Sequence, residues 1–260
     1  MNTFLFIHTR ESEGDHALIY TRNLAEKLKS KIIVMFTAPP IVSATAMQLS
    51  TVAGTNPDDY QIKESNPTES QPQNDDIVTY LSYQETARLG MYQLVSKYKI
   101  DVIVKGCKTI CNKIDLDLQN ILSKTLCPLF LIPQGAALSL NHIGYLTDLR
   151  YCKREIVSFA RQLQRGLKNN LTICNVAASG LPDMAEPFAN SMFKELVGAE
   201  TMKLMNIKER NITKTVDVLA HIMHIDLFML SYRRSHYNNL IVATESEYQQ
   251  IHTPLLLFPS

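Results

Sequence analysis

The sequence predicts an α/β protein made of two tandem copies of a five-stranded, mainly parallel open sheet with helices on both faces. Three observations carry this. Short apolar runs alternate with helical periodicity along the whole chain. Blocks of the first half recur in the second in the same order. One change of spacing between the copies has a visible cause.

The recurrence is read by offset. Lys29-Ser30-Lys31-Ile32-Ile33-Val34 returns as Lys168-Asn169-Asn170-Leu171-Thr172-Ile173, and Ala17, Tyr20 and Leu24 map onto Ile156, Phe159 and Leu163, all 139 residues on. Asp101-Val102-Ile103-Val104 returns as Asp226-Leu227-Phe228-Met229, and Cys127-Pro128-Leu129-Phe130-Leu131-Ile132-Pro133 as Thr253-Pro254-Leu255-Leu256-Leu257-Phe258-Pro259, at offsets of 125 and 126. The shortfall lies in a stretch of the first copy between about 50 and 75, rich in Pro, Asn, Gln, Ser, Asp and Glu. Such a composition cannot bury enough apolar surface to offset its ordering entropy, so residues of about 53–75 read as a mobile insertion. The expected domains are 1–137 and 138–260, joined by a linker at 134–141.

Each element has a local reason. In the first copy, residues 4–7 form an apolar run suited to a strand buried on both faces. Ala17, Tyr20, Leu24 and Leu28 then share one helical face. Residues 32–36 form a second strand, ended by Pro39-Pro40. A weaker helix is expected over 41–52. The β-branched and aromatic run at 77–83 reads as a strand. A helix over 85–97 turns Met91, Leu94, Val95 and Tyr98 inward, while Tyr80, Tyr83, Tyr92 and Tyr98 are read as core packing or an edge-strand face. Residues 101–105 and 129–132 supply the last two strands, around a helix at 115–124. Pro128 and Pro254 open their strands, where a missing amide costs least. The second copy reads as strands at 143–146, 171–175, 201–207, 227–230 and 255–258, with helices at 151–166, 186–197 and 212–223. The two closing strands are expected to lie edge to edge, since each would otherwise leave an apolar edge open to aggregation.

Composition narrows the function. With 26 Lys and Arg against 25 Asp and Glu, the formal charge is +1. No electrostatic footprint for nucleic acid or an anionic membrane follows from that balance. Arg233-Arg234 near Lys214 reads as a solvated patch. The N-terminal apolar run is too short for a secretory signal, and no run reaches the roughly 18 apolar residues of a spanning helix. Five scattered cysteines argue against a disulfide framework, so the expected compartment is the cytoplasm.

The opening strand, turn and helix, with Thr147-Asp148 closing a strand and Phe159-Ala160 within the next helix, resembles the universal stress protein family. So does the closing block, a strand starting at Asp101 or Asp226 followed by Cys/Thr-Pro, four apolar residues and Pro. The resemblance implies a Rossmann-like α/β domain, used twice, with the halves paired inside one chain as an internal pseudo-dimer. Further homodimerisation is left open.

ATP-binding members of that family carry Gly-x2-Gly-x9-Gly-Ser/Thr after the fourth strand and an Asp at the end of the first. Glycines there let backbone amides reach phosphate oxygens. In the first copy Gly106 matches the first glycine. Thr109 stands at the second, Gln119-Asn120 at the last pair, and Thr9 at the acidic position. In the second copy Asp148 fits, but Ser231 and Arg234 replace the glycines and Thr244-Glu245 the last pair. ATP binding in the family's usual mode is therefore not expected, and no cofactor or metal is.

Other chemistry is thinly signalled. His221 and His224 share a helix face, but only His236 is near enough in sequence as a further ligand. Cys107 and Cys111 are four apart with no activating base in sight. No Gly-x-Ser-x-Gly, His-Glu-x2-His or Walker loop is present, so catalysis has no positive support. The reading is a stress-associated binding or regulatory protein acting on an unknown protein partner or small ligand. The alternative is a small-molecule binder or hydrolase using the crevice between strands one and four. The pocket candidates are Thr9, Gly106, Thr109, Asp148, Ser231 and Arg234.

Overall fold

The computed structural model describes residues 3–9, 11–37, 77–108, 116–177, 181–197, 202–208, 216, 218–232 and 252–259. The expected helix at 41–52, the insertion at 53–75, Cys111, Lys214, Arg233 and His236 lie outside these residues.

The first half runs β1 (Thr3–His8), α1 (Ser12–Leu28), β2 (Lys31–Phe36), β3 (Val78–Tyr80), α2 (Tyr83–Arg88), α3 (Met91–Tyr98), β4 (Val102–Cys107), α4 (Leu116–Thr125) and β5 (Leu129–Pro133). The second runs β6 (His142–Thr147), a 3₁₀ turn (Leu149–Tyr151), α5 (Arg154–Leu167), β7 (Asn170–Val176), α6 (Glu186–Val197), β8 (Lys203–Ile207), a π-helical turn (Val218–Ile222), β9 (Leu227–Tyr232) and β10 (Leu255–Pro259). All ten strands join one sheet in the order β3-β2-β1-β4-β5-β10-β9-β6-β7-β8. Read from either end, the order is the same topology. Every neighbouring pair is parallel except β5 and β10, which run antiparallel with Leu131 opposite Leu255 and Leu129 opposite Leu257. The closing strands thus lie edge to edge, as their apolar sequences require.

Both faces of the sheet are covered. Phe4, Phe6, Val104, Phe130, Tyr145 and Met229 point to the face carrying α1, α5 and α6, while Leu5, Ile103, Leu129, Leu146, Leu230 and Leu257 point to the other. On the first face α1 and α5 meet, and Leu28 reaches so close to Gly166 that a Cβ there would lie 2.4 Å from its Cδ2. Tyr20 packs edge-on against Phe130, and Phe159 against Phe258.

Recurring residues have recurring jobs. The carboxylate of Asp101 accepts from the amide of Thr3 at 3.2 Å. Its counterpart Asp226 accepts from the amides of Asn141 and His142 at 2.7 and 3.0 Å. Each Asp pins the start of the neighbouring strand. The helices preceding β2 and β7 both end on a left-handed lysine, Lys29 and Lys168, each at φ 54°. Lys99 (φ 50°) and His224 (φ 51°) repeat that device before β4 and β9. His224 therefore ends its helical segment as a cap.

Several expectations need correction. The strand expected at 77–83 covers only Val78–Tyr80, because the Ser82 hydroxyl accepts from the amide of Glu85 and starts a helix. The single helix expected over 85–97 is two, broken at Leu89-Gly90, where Gln93 caps the Gly90 amide. Tyr80 lies on the edge strand β3, in keeping with an edge-strand face, whereas Tyr83 and Tyr92, 41% and 62% exposed, are not core residues. Tyr98 is half-buried and joins Lys97 in holding the Glu85 carboxylate below its usual range, Lys97 contributing most. The helix expected from 151 starts at Arg154, behind the 3₁₀ turn. In the segment expected at 212–223, Met223 bonds back five residues to Val218, giving a π turn.

Candidate functional site

In a sheet of this order the crevice lies where successive crossovers diverge, outside the C-terminal ends of β1 and β4, and again of β6 and β9. The structure brings Thr9 and Gly106 to the first crevice and Asp148 and Ser231 to the second. Because β5 and β10 are antiparallel, the two crevices open at opposite ends of the sheet. No single small ligand can touch both. Thr109 and Arg234 lie outside the described residues.

At the first crevice the start of α1 lies against β4. A Cβ on Gly106 would lie 2.4 Å from the Glu13 carbonyl oxygen, 2.9 Å from the Glu13 carbonyl carbon and 3.0 Å from Ala17 Cβ. The first turn of α1 therefore rests directly on β4, and glycine is what lets it. Beside it, the buried His8 ring sits edge-on to Phe6 and tilted over Phe36, which stacks on Tyr80. His8 Nε2 lies 3.2 Å from Asp15 Oδ1 at the start of α1. Thr9 Oγ1 is shielded from solvent and finds no hydrogen-bond partner. Glu11 and Glu13 share a hydrogen bond, which raises the pKa of Glu11 and lowers that of Glu13. Lys108 lowers both.

The second crevice is built differently. Ser231 occupies the position equivalent to Gly106, and α5 starts three residues later than α1 in the repeat. The 3₁₀ turn, followed by Cys152 and Lys153, precedes α5. Here the hydroxyls of Thr147 and Ser231 and the thiol of Cys152 lie close to the hydroxyl of Tyr145. Neither Tyr145 Oη nor Ser231 Oγ is touched by solvent or meets a partner in good geometry. Burial raises the phenol of Tyr145 above its usual range and pushes the Cys152 thiol up to about 11.

Asp148 is committed to internal bonds. Its side chain is 2% exposed, with Oδ1 accepting from the Arg150 amide at 3.0 Å and lying 3.1 Å from Arg150 Nε. Arg150 Nη2 donates to the Pro182 carbonyl at 2.6 Å. Asn175 Oδ1 accepts from the Leu149 amide at 3.1 Å, and Asn175 Nδ2 donates to Asn206 Oδ1 at 2.9 Å. A chain of polar contacts thus spans the C-terminal ends of β6, β7 and β8. Asn175 takes the position of Phe36 in the repeat, so the same place carries an amide in one half and a stacked ring in the other.

The chain has the fold of the universal stress proteins. A universal stress protein from Archaeoglobus fulgidus matches with a TM-score of 0.58 at 12% identity, over 99% of this chain and 98% of that one. A protein of unknown function from Pseudomonas aeruginosa matches with a TM-score of 0.60 at 10% identity, over 99% and 92%. The cytoplasmic domain of a prokaryotic cation chloride cotransporter matches with a TM-score of 0.54 at 14% identity, over 98% and 94%. No family model and no curated protein matches in sequence. At these identities the likeness is one of fold. Among the described residues no helix is long and apolar enough to cross a membrane.

The sequence pattern missed Arg150, Asn175 and Asn206 in the second crevice and the His8–Phe36–Tyr80 row in the first. Polar residues closing apolar runs, as in Ile173-Cys174-Asn175, were the available signal for the former. His8 and Phe36 also close apolar runs, and that signal was equally open.

Proposed function

We propose that this chain is a cytoplasmic, stress-associated regulator that acts by binding, with the phosphate-binding loops of the universal stress protein family degenerate in both halves. The observation that carries this is Gly106. Its lack of a side chain is accounted for by the α1 backbone, which a Cβ there would meet at 2.4 Å, so the single glycine that matches the family's phosphate loop serves packing. Asp148, the residue matching the family's acidic position, is held by Arg150. The two halves act as a permanent pseudo-dimer through β5 and β10.

A second reading, a small-molecule binder or hydrolase, is favoured by one feature, the hydroxyls of Tyr145, Thr147 and Ser231 gathered at the second crevice. Isothermal titration with ATP and magnesium at physiological salt separates the readings. No heat of binding is expected up to high micromolar ATP. A dissociation constant below about 10 µM, roughly 7 kcal/mol, overturns the proposal.

A further inference from the structure

We draw no further inference here: the strongest candidate, the cluster of the Tyr145, Thr147 and Ser231 hydroxyls with the Cys152 thiol at the C-terminal ends of β6 and β9, belongs to the second crevice already described, and nothing among the described residues shows what it would hold.

Discussion

Replacing Gly106 by Ala separates a glycine kept for packing from one kept for a ligand. The added methyl would lie 2.4 Å from a backbone oxygen and 2.9 Å from a backbone carbon of Glu13. That is roughly 1 Å short of an ordinary non-bonded contact. No side chain can swing aside to relieve it, so α1 or β4 must shift, and α1 also packs on β1 and meets α5. Overpacking of this kind costs about 1–3 kcal/mol. Restricting the unfolded chain returns about 0.4–1 kcal/mol, since the strand conformation at 106 suits alanine. The net loss is about 1–2 kcal/mol, or a fall in Tm of roughly 2–8 °C for a chain of this size. Urea titration followed by circular dichroism measures it, and the urea dependence should be unchanged, since the surface exposed on unfolding is unchanged. A glycine that admits phosphate would behave the other way, losing ligand and keeping stability. A Gly106→Ala protein as stable as wild type would refute the contact between α1 and β4, and with it the main support for a nucleotide-free first half.

Two further outcomes are expected. Asp226→Ala removes a carboxylate that accepts from two amides at 2.7 and 3.0 Å, and should cost about 1.5–3 kcal/mol, with faster exchange at Asn141 and His142; a loss under about 0.5 kcal/mol would show that water replaces it. Burial pushes the thiols of Cys127 and Cys174 up to about 12 and that of Cys152 up to about 11. The folded state therefore keeps protons that the unfolded chain releases from about pH 8.5 upward. Stability contributed by the neutral thiols is complete below that pH and lost as pH rises toward 11–12, the phenols of Tyr20 and Tyr145 acting in the same direction. Urea midpoints should be level from pH 7 to 8 and fall by pH 10, and Ellman's reagent at pH 8 should label Cys127 and Cys174 only on unfolding. Labelling of either at the rate of the unfolded chain contradicts the burial.

The strand order shared by the two halves was legible because burial on both faces of a parallel strand forces a continuous apolar run, and five such runs recur in the same order. Asp101 and Asp226 recur for a reason the sequence alone does not display, the capping of a strand across the sheet. The left-handed caps at Lys29, Lys99, Lys168 and His224 were not legible at all. Glycine is the usual signal there, and none of the four is glycine. The break at Gly90 could have been read, but the tyrosine-rich run before it favoured a strand on propensity, and the Ser82 cap overrode that preference. The π turn at Val218–Ile222 has no local signal, since a five-residue bond pattern follows from what the helix packs against. At the crevices, the sequence puts Thr9, Gly106, Asp148 and Ser231 at strand ends but does not say what they touch: Asp148 looks the same in sequence whether it faces a ligand or Arg150.

The two halves differ most where the repeat predicts they should be alike, and the sheet explains why that is tolerated. The join between β5 and β10 involves backbone bonds and apolar side chains buried on both faces, so a change there disturbs both copies at once. Those strands have stayed recognisably the same, Leu129-Phe130-Leu131-Ile132-Pro133 against Leu255-Leu256-Leu257-Phe258-Pro259. The crevices sit at opposite ends of the sheet and share no residue. A change at one is energetically independent of the other, as expected for sites well apart. One end carries a helix backbone resting on a glycine beside a row of His8, Phe36 and Tyr80. The other carries a run of polar contacts through Asp148, Arg150, Asn175 and Asn206 across the ends of β6, β7 and β8. The two ends can therefore differ without disturbing the join, so the shared strand order does not require the second half to repeat the chemistry of the first.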